Sequence, residues 1–273
     1  MNASAALLLV AVALPAGLMT GILIHFLRWL LPARLQEGWE RQCAEGCRDE
    51  PTFTPWQAIG AIWTSTVSCG SCQLETRILN FSPLLCWLTS GGRCRRCGEP
   101  LIPFEVVWPE LAIIVATAAV LLRFGLTAAG AGALLFAASL ILLGLHSRDH
   151  ALMPDAISLP LLWAGLALNV EATYVALDEA VVGALAGYLA PWTLYWAVKL
   201  VSGREVIGYG AMKTLAAIGA WLGPAAAVAV MSSAFLVKAA QWAWVERTGD
   251  PEGFLCPLGP QLALCGVVAL VVA

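Results

Sequence analysis

The chain has 273 residues, of which 60% are hydrophobic and only 12% are charged, and its formal net charge is -3 at pH 7. Soluble globular domains carry charge on roughly 25% of their residues, so the composition excludes an ordinary soluble protein and predicts a membrane protein. Acidic and basic residues are interleaved, without a sustained basic run. This pattern argues against a nucleic-acid partner.

Apolar stretches long enough to cross a membrane recur along the chain. Residues 5–24 carry no charge, and a helix of about 20 apolar residues spans the bilayer core. A cleaved signal peptide is the alternative here, but the basic region that should precede it is missing and the apolar run is too long. The other predicted spans are 104–122, 127–145, 156–172, 178–200, 209–222, 224–243 and 259–273. The sequence thus predicts an all-α polytopic membrane protein with about eight transmembrane helices.

This pattern divides the chain into three predicted parts. A first transmembrane helix occupies residues 1–32, a polar loop 33–103, and a helical membrane domain 104–273. Lys and Arg near helix ends favour the cytoplasmic side of a membrane. Nearly all basic residues fall in the first loop or in later loops on its side, and only Arg123 is left for the other side. We therefore expect the N-terminus outside the cytoplasm and the large loop within it.

Two cysteine pairs stand in the polar loop. Cys69 and Cys72 come first, and Cys94 and Cys97 follow after 21 intervening residues. Two CxxC pairs at this separation are typical of a tetrahedral zinc site, in which each pair binds the metal from a tight turn. Two structural disulfides are the alternative, but disulfides rarely persist in the reducing compartment where the predicted topology places this loop. We therefore predict a structural zinc ion held by four cysteines.

Three further features follow in chain order: Glu110 in an apolar stretch, "LMPDAISLPLLW" at 152–163 and "GYGAMKTLAAIGAWLG" at 208–223. Together with the first helix and the cysteine loop, they make the chain resemble the type IV prepilin peptidase family over about residues 17–265. The resemblance implies an aspartic endopeptidase of the bacterial inner (cytoplasmic) membrane that removes leader peptides from pilin-like precursors. It also implies N-methylation of the product, with S-adenosylmethionine as the methyl donor.

The same resemblance indicates where the family has its two catalytic aspartates. One lies eight residues before the aspartate of the LPD motif, where this chain has Ser147, and the other follows GxG, where it has Ala211. Aspartic proteolysis needs two facing carboxyls, one ionised to activate water and one protonated to polarise the scissile carbonyl. We therefore predict that this divergent member does not cleave peptides by the family mechanism.

Nearby acids are the alternative source of a carboxyl pair. The candidates are Asp149, Asp155 and Glu205. We interpret Asp155 instead as the N-cap of the helix that follows it, and Glu205 as a solvated loop charge. The nearby His146 and His150 are interpreted as polar residues at the membrane interface.

Two origins are consistent with the absence of both catalytic aspartates. A deliberately disabled enzyme should depart from the family pattern only at Ser147 and Ala211, but residues 65–67 and 105–107 depart from it as well. We therefore favour a naturally degenerate pseudoenzyme whose partner is a pilin-like precursor. A structural or assembly subunit that holds other membrane subunits is the alternative, and the small-residue run "GALAGYLA" at 183–190 favours close helix packing. A transporter is a third interpretation. In each case membrane lipid surrounds the protein.

Overall fold

The computed structural model describes residues 12–24, 27–28, 67–69, 71–72, 75–76, 83–94, 96–100, 104–203, 207–248 and 257–272. Apart from two very short strands, the elements in this part of the chain are helices. They belong to two compact units, Met1–Ala118 and Ala119–Ala273. The prediction of an all-α protein is confirmed.

The first unit contains two apolar helices and the cysteine loop. Its elements are α1 (Val12–Ile24), β1 (Val67–Ser68), β2 (Glu75–Thr76), α2 (Pro83–Ser90) and most of α3 (Phe104–Phe124). Helix α1 packs closely on α3, because a β-carbon added to Gly17 would lie 3.0 Å from the Cα atom of Ile114. The two strands pair antiparallel, with Val67 opposite Thr76.

The second unit is a bundle of five further helices. They are α4 (Ala128–His150), α5 (Asp155–Asn169), α6 (Leu177–Ser202), α7 (Tyr209–Thr248) and α8 (Gly259–Val272). Every span predicted beyond residue 100 coincides with one of these helices or with α3, within a few residues. Among the described residues, four helices are long and apolar enough to cross a membrane: α3, α4, α6 and α7. Helices α1, α5 and α8 are apolar but shorter.

Helix α7 is broken at Gly223, which has φ 81° and ψ 177°. A residue with a side chain rarely adopts this conformation. Pro224 follows and has no N–H to donate to the carbonyl four residues earlier. The chain reverses direction after the break. The side-chain amide of Gln241, in the second half of α7, lies 2.7 Å from that of Gln261, in the first turn of α8. The spans predicted at 209–222 and 224–243 are thus the two halves of α7.

A buried amide satisfies the backbone at this break. Asn169, the last residue of α5, is 0% exposed, and its Nδ2 donates to the carbonyl oxygens of Ala220 at 2.9 Å and Trp221 at 3.2 Å. Its Oδ1 accepts from the backbone N–H groups of Tyr174 at 3.0 Å and Val175 at 3.3 Å. One side chain therefore closes the end of a helix and fixes the loop between α5 and α6.

Glycines bring the backbones of α6 and α7 into contact. A β-carbon added to Gly183 would collide with the carbonyl oxygen of Gly219, and one added to Gly187 would collide with that of Leu215. These two glycines belong to the small-residue run at 183–190, which therefore forms the close helix contact that the sequence favours. The contact fixes the position of α7 along the axis of α6.

Trp221 forms the centre of the core in the second unit. It is 0% exposed, and its Nε1 donates to the carbonyl oxygen of Leu161 at 2.8 Å. The indole ring lies directly on Gly165, where a β-carbon would collide with it, and 4.9 Å from the ring of Phe136. Helices α4, α5 and α7 are thus held around one aromatic side chain.

Candidate active site and cysteine cluster

The residues at the positions of the two family aspartates lie at the same end of the second unit. Ser147 is in the last turn of α4 and 3% exposed, and Ala211 is in the first turn of α7 and 6% exposed. Ser147 packs against Gly259 at the start of α8, where an added β-carbon would collide with the serine side chain. Both positions therefore lie at buried helix ends on the same side of the second unit.

Met153, in the short connection between α4 and α5, joins these helix ends. A β-carbon on Gly210 would lie 2.7 Å from the Met153 Cβ atom, and one on Gly259 would lie 2.6 Å from its Cε atom. The hydroxyl of Thr214 donates to the Met153 sulfur at 3.5 Å. A thioether, rather than a polar group, therefore lies between the segments that carry Ser147 and Ala211.

Asp155 does not cap α5, so the interpretation of this residue as an N-cap is wrong. Pro154 occupies the N-cap position with φ -70° and ψ 133°, and no side chain caps the helix. Asp155 is the first helical residue, and its carboxylate pairs with the ammonium of Lys213 on α7 at 2.5 Å. A full positive charge within reach is a stronger partner than a backbone N–H. The pair links α5 to α7 beside the site.

The other candidate side chains near the site differ in how deeply they are buried. His146 is 2% exposed and therefore buried within the bundle, and its placement at the membrane interface stays a prediction. Its ring centroid lies 4.8 Å from that of His150, one turn later, which is exposed together with Asp149. The two histidines share one side of α4, so the difference comes from their position along the helix: the final residues 148–150 are exposed, whereas the bundle covers residue 146. Glu205 lies outside the described residues.

In the first unit, the four predicted ligands form one cluster. Their sulfur atoms all lie within 4.8 Å of one another, with Cys69 3.4 Å from Cys97 and Cys72 3.6 Å from Cys94. All four are free thiols in this structure. A tetrahedral ion with metal–sulfur bonds of about 2.3 Å needs sulfurs about 3.8 Å apart. The cluster therefore fits a four-coordinate metal ion, and it is the one such group among the described residues.

Two similar turns present the cysteines. Cys69 and Cys72 come between β1 and β2, and the second pair stands between Arg93 and Pro100, which form an isolated antiparallel bridge. In the second turn the Cys94 N–H donates to the carbonyl of Glu99 at 2.8 Å. Each pair thus sits at the tip of a small hairpin, as a chelating CxxC pair requires.

Backbone N–H groups prepare two of the thiols as ligands. The N–H of Cys72 points at the sulfur of Cys69 and is the main cause of the lowered pKa of that thiol. The N–H of Arg96 does the same for Cys94 and is the main reason why its pKa falls to about 6. Metals bind thiolates rather than thiols. One cysteine of each pair is therefore biased towards its ligand form.

A helical unit with membrane-length helices and two buried helix ends on the same side, together with a four-cysteine cluster, defines a class of polytopic membrane protein. Residues 134–242 match the type IV leader peptidase family, and residues 15–124 match the bacterial peptidase A24 N-terminal domain. The chain belongs to the type IV leader peptidase family. The match over residues 134–242 contains Ser147 and Ala211, and the match over residues 15–124 contains all four cysteines, so the predicted resemblance is confirmed.

Curated relatives agree over nearly the whole chain. A prepilin leader peptidase/N-methyltransferase of Pseudomonas aeruginosa is 34% identical over 255 residues, which cover 93% of this chain and 87% of that protein. The protein of the same name from Dickeya chrysanthemi is 36% identical over 263 residues, covering 93% and 89%. That from Stutzerimonas stutzeri is 34% identical over 269 residues, covering 98% and 92%. No solved structure matches the chain.

Proposed function

We propose that this chain is a non-cleaving member of the leader peptidase family, a pseudoenzyme that keeps the membrane fold and the position of the site. The observation that carries the proposal is the placement of Ser147 and Ala211 on buried helix ends on the same side of the second unit, without a carboxyl on either side chain. Relatives are named for their action on prepilins. The partner of this chain is accordingly a pilin-like precursor, which it binds without hydrolysis.

Proton chemistry is the reason for the inactivity. The family reaction needs one carboxylate to take a proton from water and one carboxylic acid to polarise the carbonyl. A serine hydroxyl does not ionise near neutral pH, and an alanine methyl has no proton to exchange. Asp155 supplies no replacement, because its carboxylate is paired with Lys213. Neither Ser147 nor Ala211 can therefore take a proton from water in the way that the family carboxylate does.

The orientation of the second unit follows from its charges. Arg148, Lys199 and Arg247 stand in the last turns of α4, α6 and α7, at the end that holds the site. The opposite end has Asp178 and Glu179 in the first turn of α6. By the positive-inside tendency the site faces the cytoplasm of a bacterial inner membrane. We extend this orientation to a chain of about eight spans, with residues 33–103 as a cytoplasmic loop.

The metal of the cysteine cluster is zinc in this proposal. Four thiolates in a tetrahedral arrangement suit zinc, which holds small loops together without redox chemistry. Its role is structural, because the four cysteines leave no open coordination position for a substrate. The relatives are named N-methyltransferases. The family resemblance implies S-adenosylmethionine as the methyl donor, and we assign no residue of this chain to this activity.

An assembly subunit is the second candidate. It is favoured by the end of α7, where Leu236, Trp242 and Trp244 are 70%, 56% and 69% exposed. Large apolar side chains on an exposed helix end can pack against helices of another subunit as well as against lipid. Stoichiometric co-purification of further membrane proteins in mild detergent would favour this role. A chain that purifies alone would count against it.

The deciding experiment restores both carboxyls. Wild type, Ser147→Asp/Ala211→Asp and the matched amide control Ser147→Asn/Ala211→Asn are purified in detergent and mixed with a pilin-like precursor, and the products are measured by mass spectrometry. We expect cleavage by the double aspartate variant alone. Cleavage by the wild type would overturn the claim of inactivity. If a folded double aspartate variant does not cleave, the position of the site has not been kept and the assembly role is favoured.

A further inference from the structure

A charged residue is buried in the first unit. Glu110 lies in α3 and is only 4% exposed. An ionisable side chain inside a membrane helix is costly, and such residues have partners or a function. Its Oε2 accepts a hydrogen bond of 2.8 Å from the backbone N–H of Leu84. The carboxylate therefore joins α3 to a segment 26 residues earlier in the chain.

The donor lies at the beginning of α2. Pro83 is the first residue of this helix and Leu84 the second. The first N–H groups of a helix have no acceptor within the helix, and proline suits the first position because it has no N–H. A carboxylate at this end is also stabilised by the helix dipole. Glu110 thus caps the start of α2 from another helix.

Helix α1 packs on the same glutamate. A β-carbon on Gly21 would lie 3.0 Å from the Cγ atom of Glu110, as one on Gly17 would lie 3.0 Å from Ile114 one turn away. The two glycines let α1 approach α3 closely. Glu110 is therefore a point at which α1, α2 and α3 meet.

Helix α2 leads directly into the second half of the cysteine cluster. It ends at Ser90, and two glycines with positive φ, Gly91 and Gly92, precede Arg93 and Cys94. Fixing the start of this eight-residue helix therefore limits where the second cysteine pair can lie.

We propose that Glu110 is a positioning residue that fastens the cysteine cluster to the membrane helices through α2. The link to metal binding rests on the proposed zinc site, but the capping of α2 does not. Replacing Glu110 with a neutral side chain of the same size that has no acceptor oxygen should leave the start of α2 uncapped. An amide that keeps the acceptor oxygen should hold it.

The experiment compares Glu110→Met, Glu110→Gln and the exposed control Glu179→Met in the purified full chain. Hydrogen exchange of peptides that cover residues 83–90 is measured by mass spectrometry, and zinc release to a chelator is followed with an indicator dye. We expect exchange of α2 to be about tenfold faster in Glu110→Met and within about threefold of wild type in Glu110→Gln and Glu179→Met. Zinc release should accelerate in Glu110→Met only.

The outcomes separate the two proposals. Unchanged exchange of α2 in Glu110→Met, or equal acceleration in Glu110→Gln, would overturn the role of Glu110. If the wild type contains no zinc and binds none, the metal proposal fails, but the exchange measurement still tests the capping. If exchange changes as expected while zinc release is the same in all variants, α2 is capped by Glu110 but does not control the cluster, which overturns the positioning role.

Discussion

The side-chain amide of Asn169 donates a hydrogen bond of 2.9 Å to the carbonyl oxygen of Ala220, across the interface between α5 and α7. The proline after the break in α7 leaves this carbonyl without a helical donor, so the bond satisfies a group that would otherwise be buried unpaired. In a membrane protein no water in the bilayer core can take its place. The integrity of α7 therefore depends on a residue of another helix.

Replacing Asn169 with Leu should destabilise the second unit. The change removes both donors and both acceptors of a fully buried amide, and each unsatisfied buried group costs about 1–3 kcal/mol. We expect the free energy of unfolding to fall by about 2–4 kcal/mol, measured by denaturation with SDS. The control is Ser232→Ala, an exposed residue whose hydroxyl bonds only the carbonyl of Val228. An equal effect of both substitutions would contradict the role of Asn169.

The break itself should tolerate only glycine. Gly223→Ala places a side chain at φ 81°, where the strain costs about 1–3 kcal/mol. Gly208→Ala is a matched control, because its added β-carbon meets no atom within 4 Å and its φ is not positive. We expect a loss of stability in Gly223→Ala and little change in Gly208→Ala. Equal thermal transitions of the two variants would show that the backbone at residue 223 is not constrained.

Metal binding should depend on each member of the cysteine cluster. Cys94→Ser removes one sulfur of four, and we expect bound zinc to fall from one equivalent to less than about 0.2 per chain, since structural zinc sites use four ligands. Elemental analysis of the purified protein measures it. Cys265→Ser is the control, because Cys265 lies in α8, outside the cluster. Full zinc content in Cys94→Ser would exclude a four-cysteine site.

The ion pair of Asp155 and Lys213 should contribute little to stability. The side chains are 51% and 29% exposed, and exposed pairs are worth about 0–1 kcal/mol. A double-mutant cycle with Asp155→Asn and Lys213→Met should give a coupling energy below about 1 kcal/mol, smaller still in high salt. A coupling energy of several kcal/mol would show that the pair is shielded from water and holds α5 against α7.

Hydropathy predicts the helices well because a membrane span needs a continuous apolar stretch of nearly fixed length. The break in α7 is predicted for the same kind of local reason, since Gly223 and Pro224 stand next to each other. The cysteine cluster follows from spacing alone, because two CxxC pairs can converge on one tetrahedral ion. These features depend on neighbours in sequence.

The errors and omissions all concern contacts between distant residues. Asp155 looks like an N-cap by position, but Lys213, on a different helix, offers a charge. Asn169 stands out as a polar residue in an apolar stretch, but its partners are carbonyls that only the break in α7 sets free. Glu110 marks a family motif, and nothing near it in sequence indicates that it caps α2. A buried polar residue in a predicted span indicates that a partner exists, but the sequence does not show which residue that partner is.

The reversal at Gly223 makes the first half of α7 short. Residues 209–222 form about 21 Å of helix, and α5, which begins at the same end, is about 22 Å long. The hydrocarbon core of a bilayer is about 30 Å thick. These two neighbouring segments therefore fall short of its full depth. If they cross the membrane, the lipid must thin locally or Ser147 and Ala211 must lie in a depression below the headgroups. In either arrangement, water and the end of another chain's transmembrane segment would reach a level in the membrane from which full-length helices would exclude water.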